Sequence, residues 1–521
     1  MSNKKILWVD DEIDSLEPQI MSLKLNGYDL TTATNGDDAI AAFSADSFDL
    51  VLLDENMPGK SGLETLQLLK QIAPSVPMVM VTKNEQQDFM EDAYKCADDF
   101  LVKPVTIPQL RSTVTRILNG QAIKEGKVVD DFNRTYLSLS QKISACNVFN
   151  DWASLYRDIV SWETQLPDSN ALEMLLDLKR EANIAFSKFV KANYVSWFSP
   201  NSPNAPLLSH RILSTVIKPL LKNAEKVAFV VIDNFRLDQW EVIRPSLERE
   251  FLVKTDLCCS ILPTSTQFSR NAIFSGLLPA DIAKMHPDYW KADDEESFNQ
   301  HERELLADYF DRQRMHIENS YYKVGSNDSG EDYINGFNGS KKHKGYANNQ
   351  LNALVFSFVD ALSHATTDSR TLRDLITDDK AYRKVTRLWF TDGIMLRTLR
   401  LLRDKGFKII LTTDHGAIRV SSPIDISGPA DLNRNLRYKV AKNISYNPKD
   451  VFELTDSRSI DTVGLPKASI ADKFIFALKD DFFLYKNNRN DYLDRYANSF
   501  QHGGISLEEM ILPLVTLQPK P

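Results

Sequence analysis

Over the first 120 residues, short apolar runs alternate with longer stretches whose apolar residues recur every three or four positions. The runs Lys5–Val9, Asp29–Ala33, Leu50–Asp54, Met78–Val81 and Phe100–Val102 have strand length, and the stretches between them read as amphipathic helices. This alternation predicts a parallel sheet covered by helices on both faces. The fold class expected for residues 1–120 is α/β, a doubly wound parallel sheet of flavodoxin-like form. From Val128 to about Trp197 the period changes. Val129, Phe132, Tyr136, Leu139 and Ile143 form one helical stripe, and Trp152, Tyr156, Ile159 and Leu166 form another. Such stripes are core seams before they are cofactor sites, so residues 121–206 are expected to hold a small bundle of about three helices. Ser199-Pro200-Asn201-Ser202-Pro203-Asn204-Ala205-Pro206 closes it as a linker.

From Leu207 the strand-like runs return at Val227–Ile232, Leu354–Val359 and Lys408–Thr412, predicting a second, larger α/β domain over residues 207–521. Between the first two of these runs lies a polar insertion, residues 286–349, rich in charge, Asn and Gly. An insertion of that size reads as a lid or cap, or as a solvated elaboration.

Composition narrows the class. A chain of 521 residues exceeds what one core can organise, so about two to four domains are expected. Apolar residues at 43% and charged residues at 26% are a globular balance. The net charge of −9 argues against broad wrapping of DNA or of an anionic membrane, leaving room only for a local basic groove. Cys96, Cys146, Cys258 and Cys259 lack metal-type spacing and read as core residues in a reducing compartment. The apolar stretch Ile6–Val9 is cut by Asp10 and Asp11, and no run approaches the ~20 residues that span a bilayer. A soluble, cytoplasmic protein with no membrane partner is expected.

Candidate chemistry first appears where the N-terminal strands end. Asp10 and Asp11 follow the first run, Asp54 ends the third, Thr82 follows the fourth and Lys103 follows the fifth. Ligands of open parallel sheets bind beyond these carboxyl ends. Converging carboxylates repel unless a cation is present, and the hard ion Mg²⁺ suits them. Asp54 could then attack a phosphoryl group, with Lys103 neutralising its charge and Thr82 hydrogen-bonding it. Lys103-Pro104 is expected to be cis, aiming the lysine inward. A flavodoxin-like domain with scattered acidic turns would need five coincidences. These positions, with Trp8-Val9-Asp10-Asp11-Glu12 and Leu53-Asp54-Glu55-Asn56-Met57-Pro58-Gly59, resemble the receiver domain of two-component response regulators. The resemblance implies that the Asn56 carbonyl also binds Mg²⁺ and that Thr82 and Phe100 rearrange on phosphorylation of Asp54.

A second constellation lies in the C-terminal domain. Asp233 ends one strand-like run, and Asp360 ends another with His364 a turn later. Asp414-His415-Gly416 follows a third, and His502-Gly503-Gly504 lies in a loop. Single histidines near strand ends are usually structural, but three Asp and three His together fill two three-ligand sites. Mixed Asp and His without Cys suits Zn²⁺, with Mn²⁺ as the harder alternative. Pro263-Thr264-Ser265-Thr266-Gln267-Phe268-Ser269-Arg270 supplies hydroxyls that a divalent cation could activate, although Ser265 or Thr266 could equally cap a helix.

The order Asp, Thr, Asp-x-x-x-His, Asp-His, His resembles the alkaline phosphatase superfamily, and the PglZ domain in particular. The resemblance implies one zinc on Asp233, Asp414 and His415, a second on Asp360, His364 and His502, and Thr266 as the bridging nucleophile. Arg270 and Asn271 are expected to contact phosphate. The basic stretch Arg434, Arg437, Lys439 and Lys442 is expected either to hold further phosphates or to be a solvated face. Receiver, helical segment and PglZ domain together resemble the PorX-like response regulators. That resemblance implies a sensor histidine kinase as phosphodonor, a sigma factor as partner and a role in type IX secretion. No helix-turn-helix signature is visible, so DNA binding is not expected.

The leading expectation is a phosphorylation-controlled phosphodiesterase acting on nucleotides or oligonucleotides, dimerising when Asp54 is phosphorylated. Its rivals are a phosphomonoesterase or phosphotransferase using the same metals, and a metal-stabilised domain that binds a sigma factor without turnover.

Overall fold

The computed structural model describes residues 4–83, 97–199, 202–290, 299–326, 328, 330–337, 339, 345–428, 435–467, 469, 472–485 and 489–520. Cys96, Pro200, Asn201 and Arg434, singled out above, lie outside these residues. The chain forms two compact units, Met1–Asp131 and Phe132–Pro521.

In the first unit, strands β1 (Lys5–Val9), β2 (Asp29–Ala33), β3 (Leu50–Asp54), β4 (Met78–Thr82) and β5 (Asp99–Val102) form one sheet in the order β2-β1-β3-β4-β5. All of its pairings are parallel. Because side chains alternate across a strand, Ile6 and Trp8 face one core, where Leu50 and Val81 also lie. Leu7 and Val9 face the other, with Leu53 and Met80. Both faces of the central strands β1, β3 and β4 are covered, which is why these read as near-continuous apolar runs, while the edge strands β2 and β5 are partly exposed. The helix Gly62–Ile72 opens on a reciprocal Ser61–Glu64 capping box.

The second unit begins within the helix Ile107–Ala145 and continues through helices Phe149–Gln165 and Asn170–Asn193. The second predicted stripe is buried as a seam, with Trp152, Tyr156, Ile159 and Leu166 all out of solvent. The Trp152 and Phe186 rings meet edge to face at 5.6 Å. Lys191 Nζ donates to the Val451 carbonyl at 2.7 Å, and the Tyr194 hydroxyl accepts from Leu262 N–H at 2.6 Å. The helices Phe149–Gln165 and Asn170–Asn193 pack onto the α/β portion within this unit.

The main sheet of that portion contains β6 (Val227–Ile232), β7 (Phe251–Cys259), β8 (Asn319–Val324), β9 (Leu351–Phe356) and β10 (Lys408–Thr412). Smaller sheets use β11 (Ile418–Arg419), β12 (Ser422–Ile426), β13 (Tyr438–Ala441), β14 (Val451–Leu454), β15 (Lys473–Ala477), β16 (Asp481–Tyr485) and β17 (Phe500–Gln501). The last strand, β18 (Ile511–Pro519), returns to the main sheet, whose order is β7-β18-β10-β6-β9-β8. The pairings among β10, β6, β9 and β8 are parallel, and β18 is antiparallel to both its neighbours. Both α/β parts thus have the expected fold class.

Two expectations need correction. The strand expected at Leu354–Val359 is β9, Leu351–Phe356, and a helix, Phe358–Asp368, starts two residues later. The run Phe356-Ser357-Phe358-Val359 cannot be divided by periodicity alone, because a buried strand end and a buried helix start look alike. The described part of the polar insertion is no merely solvated elaboration, and its Asn299, Gln300 and Lys323 line the cleft beside Thr266. It supplies the edge strand β8, and its helix Glu302–Arg312 buries Leu305, Leu306, Tyr309 and Phe310. Among the described helices, none is long and apolar enough to cross a membrane.

Candidate active site and receiver pocket

In the first unit, Asp10, Asp11 and Asp54 bring three carboxylate oxygens within 4.8 Å of one another at the carboxyl ends of β1 and β3. The Asp10 and Asp54 carboxylates are buried and Asp11 is exposed. Lys103 Nζ stands 2.8 Å from Asp10 and 3.0 Å from Asp54. Burial, partly offset by that ammonium, raises the Asp54 carboxyl above its ordinary range. Burial disfavours the Lys103 ammonium, yet the two carboxylates outweigh it and hold it charged to higher pH. Lys103-Pro104 is cis. Thr82, at the end of β4, is buried, and Phe100 on β5 packs partly buried against the core that holds Leu7 and Met80. Asn56 is exposed in the loop after Asp54.

In the second unit the ligand candidates come from five segments. Asp233 and Asn234 follow β6, and Thr266 begins the helix Thr266–Ser275. Asp360 lies in the first turn of the helix Phe358–Asp368 rather than at a strand end. Asp414 and His415 follow β10, and His502 follows β17. The structure forms two groups whose donor atoms lie within 4.8 Å of one another. One is Asp233, Asp414 and His415, the set anticipated for the first zinc. The other is Asp360, His415 and His502. His415 faces both, its ring stacked on that of His502 at 4.2 Å. His364 stands apart from the second group, with its side chain 59% exposed and its Nε2 3.5 Å from Asp360.

Hydrogen bonds fix which nitrogen of each buried histidine faces the centre. His502 Nδ1 lies 3.1 Å from the Thr264 carbonyl and His415 Nδ1 lies 3.2 Å from the Gly416 carbonyl. A carbonyl only accepts, so each Nδ1 carries the proton and each Nε2 turns a lone pair inward. Burial lowers the pKa of both imidazoles, more so for His502. The Thr266 hydroxyl sits 3.0 Å from His415 Nε2 and 3.3 Å from Asp233 Oδ1.

These residues fit divalent metal. Asp414 Oδ2 is fully buried and has no hydrogen-bond partner. Burial and the neighbouring Asp233 charge push the Asp414 carboxyl well above its usual range. Burial and the Asp233 charge likewise raise Asp360. Burial opposes ionisation of Asp233 too, but the Arg270 guanidinium beside it holds that carboxyl down at about 2. Carboxylates with neutral imidazole lone pairs and too little positive charge are a donor set for a cation.

Arg270 is buried and pairs with Asp233 and with Glu302, and lies 3.8 Å from Asp414. The phosphate-contacting residue expected from sequence is thus held by carboxylates, although it still lines the cleft. Asn271 is buried on the same helix. That cleft, about 450 Å³, is also lined by Ser265, Thr266, Lys323, Asp360 and Tyr438. The expected basic stretch forms no phosphate track among the described residues. Arg437 is fully buried against Glu509, Lys439 is buried over the Tyr485 ring, and Lys442 is exposed. The Arg437–Glu509 pair holds the His502 loop instead, since Glu509 Oε1 accepts from Gly504 N–H at 2.9 Å. Gly503 has φ +124, a backbone conformation that favours glycine.

Sequence reasoning missed Asn234. Its backbone N–H donates to Asp414 Oδ1 at 3.2 Å and its amide donates to Asp360 Oδ1 at 3.2 Å, bridging the two groups. Its φ of +61 is one that Asn tolerates better than most residues, a faint signal beside Asp233. Glu302 was missed because it sits in the insertion, where nothing in the pattern links it to Arg270.

Residues 212–517, more than half of the chain, match the family described as the BREX system PglZ alkaline phosphatase-like domain. Residues 6–115 match the response regulator receiver domain, and residues 122–198 match the PorX response regulator linker domain. The chain is 34% identical over 122 residues to the alkaline phosphatase synthesis transcriptional regulatory protein PhoP of Bacillus subtilis (strain 168), covering 23% of this chain and 51% of that protein. It is 36% identical over 126 residues to the response regulator protein PilR of Pseudomonas aeruginosa, covering 23% and 28%. The chain thus spans about half the length of the first relative and less of the second. A CheY-like receiver domain structure from Methanospirillum hungatei JF-1 is 27% identical, with a TM-score of 0.23, covering 23% of this chain and 98% of that one. Receiver domains are typically phosphorylated by sensor histidine kinases, and receiver and alkaline phosphatase-like domains generally bind divalent metals. The chain belongs to the PglZ family of alkaline phosphatase-like domains, joined through a linker domain to a receiver domain as in the PorX-like response regulators.

Proposed function

We propose that this chain is a response regulator in which phosphorylation of Asp54 controls a zinc-dependent phosphodiesterase acting on nucleotides or oligonucleotides. The observation that carries the enzymatic part is the Thr266 hydroxyl, at a helix start and within 3.3 Å of both Asp233 and His415. One zinc would be held by Asp233, Asp414 and His415 and another by Asp360, His364 and His502. Divalent ions there would favour the alkoxide form of a hydroxyl and offset charge on phosphoryl oxygens.

The chain's own groups account for the remaining steps. Thr266 Oγ bonds to phosphorus while the bond to the leaving alcohol breaks, and the hydroxyl proton passes through solvent to the leaving oxygen. Water then cleaves the phospho-Thr266 ester. The helix that Thr266 opens directs N–H groups and its positive end toward the phosphoryl oxygens. Asn234 holds Asp414 and Asp360 in place, and Arg270 offsets the Asp233 charge while Glu302 holds its guanidinium from the other side.

Lys323 lines the cleft, with Nζ 3.4 Å from the Asn299 carbonyl, and favours a second reading. Its positive charge would suit the extra negative charge of a monoester dianion. Initial rates on matched diesters and monoesters with added zinc separate the two, and diesters should turn over faster. A monoester preference lost in Lys323→Ala would establish the second reading. No turnover of either class by the zinc-loaded chain would leave a metal-stabilised domain that binds a protein such as a sigma factor.

In the receiver, Mg²⁺ would be held by Asp10, Asp11, Asp54 and the Asn56 carbonyl, with Thr82, Phe100 and Lys103 answering phosphorylation. A sensor histidine kinase as donor, a phosphorylation-dependent homodimer, a cytoplasmic location and a role in type IX secretion complete the reading. The domain limits that go with it are 1–120, 121–206 and 207–521.

A further inference from the structure

Three residues beyond Asp233, Arg236 is buried at the start of the helix Leu237–Leu247. Its Nε donates to Asp238 Oδ1 at 2.8 Å, and its Nη2 pairs with Asp238 and Asp379. Nη1 donates to the Ala417 carbonyl at 3.3 Å, two residues past His415. The guanidinium lies 5.5 Å from the Phe500 ring centre, two residues before His502, and 5.4 Å from the Tyr382 ring stacked beneath it. One side chain therefore touches all three segments that carry Asp233, Asp414-His415 and His502.

The ion network continues into the helical segment. Asp238 Oδ2 accepts from Arg383 at 3.1 Å, and Arg383 pairs with Glu163 on the helix Phe149–Gln165. Glu163 accepts from Lys179 at 2.9 Å, and Lys179 reaches Glu508 at 3.0 Å. Asn183 donates to Glu508 at 3.1 Å and accepts from Leu507 N–H at 2.8 Å. The circuit closes at Gly416, because a Cβ there would lie 2.1 Å from the Glu508 carbonyl oxygen and 3.2 Å from Arg236 Cγ. Glu163, Lys179, Arg236, Asp238, Arg383 and Glu508 are all buried. Burying so many charges is a poor way to gain stability, since an apolar seam would hold the helices as well. What ions add is fixed geometry.

We propose that Arg236 is a positioning residue for the three ligand-bearing segments, and that Glu163 and Lys179 of the helical segment belong to the same device. The helical segment is then a working part of the centre that Asp233, Asp414-His415 and His502 form. Only the consequence for zinc rests on the function proposed above.

Full-length Glu163→Gln and Arg236→Lys, with Asp379→Asn as the milder variant should those not fold, test this by hydrogen exchange without metal. Amides in segments 233–237, 414–418 and 499–503 should exchange about tenfold faster in the first two and by a smaller factor in Asp379→Asn. Glu241→Gln, which removes the separate Glu241–Arg244 pair, should leave those segments unchanged. Acceleration confined to the helices 149–193, or equal acceleration in Glu241→Gln, would overturn the proposal. In the same variants the apparent zinc affinity should fall about tenfold. A wild-type chain that takes up no zinc would remove the metal reading, while the exchange pattern would still decide the positioning.

Discussion

His415 faces both ligand groups whereas His364 lies at the rim, and their substitutions should behave differently. His415→Ala is expected to abolish uptake at the site it shares with Asp233 and Asp414, while His364→Ala weakens the other by about tenfold. Metal content after dialysis against a weak chelator measures both, and equal losses would contradict the arrangement. The pH dependence follows from Asp414. Its carboxyl is raised in the metal-free protein, so binding must displace a proton that an ordinary aspartate would already have lost. Metal affinity should therefore fall as pH drops through that raised value. His415 and His502 add no competition until lower pH, because burial keeps both imidazoles neutral. Chelator-corrected competition should show the decline beginning above the pH at which an ordinary aspartate titrates, and a flat profile would contradict it. The ligand types themselves were legible in Asp414-His415-Gly416 and His502-Gly503-Gly504. That His415 Nε2 lies within reach of both groups was not, since ring placement depends on the Gly416 and Thr264 carbonyls that fix the tautomers.

At the scale of elements, the insertion carries the edge strand β8 and the helix that brings Glu302 to Arg270. Glu302 also accepts from the Tyr321 hydroxyl, so its loss leaves buried polar groups unpaired. Glu302→Ala is expected to destabilise the second unit by about 3 kcal/mol in urea unfolding, the usual cost of breaking a buried pair. Wild-type stability in that variant would restore the view of the insertion as an appendage. Strands buried on both faces, β1, β3, β4, β6 and β10, were legible because their apolar runs end sharply at Asp or Thr. The strand β7 was not, because Phe251–Cys259 interleaves Lys254 and Asp256 among apolar residues at the sheet edge. Asp360 was assigned to a strand end because the apolar run continues from β9 into the next helix.

At the scale of the whole chain, a receiver pocket with Lys103 poised between Asp10 and Asp54 precedes a catalytic-type centre in one polypeptide. Beryllofluoride should convert the chain to a dimer, read as a doubling of mass by light scattering, and Asp54→Ala should abolish the response. Identical mass with and without beryllofluoride would contradict the switch. The claim on which the account turns is that Thr266 is the nucleophile of a metal-dependent esterase. Its most direct test is the rate of diester hydrolysis by Thr266→Ala at zinc content matched to wild type. The account predicts retained metal and a rate lower by about a thousandfold or more. A near-wild-type rate would contradict it and assign the attack to water.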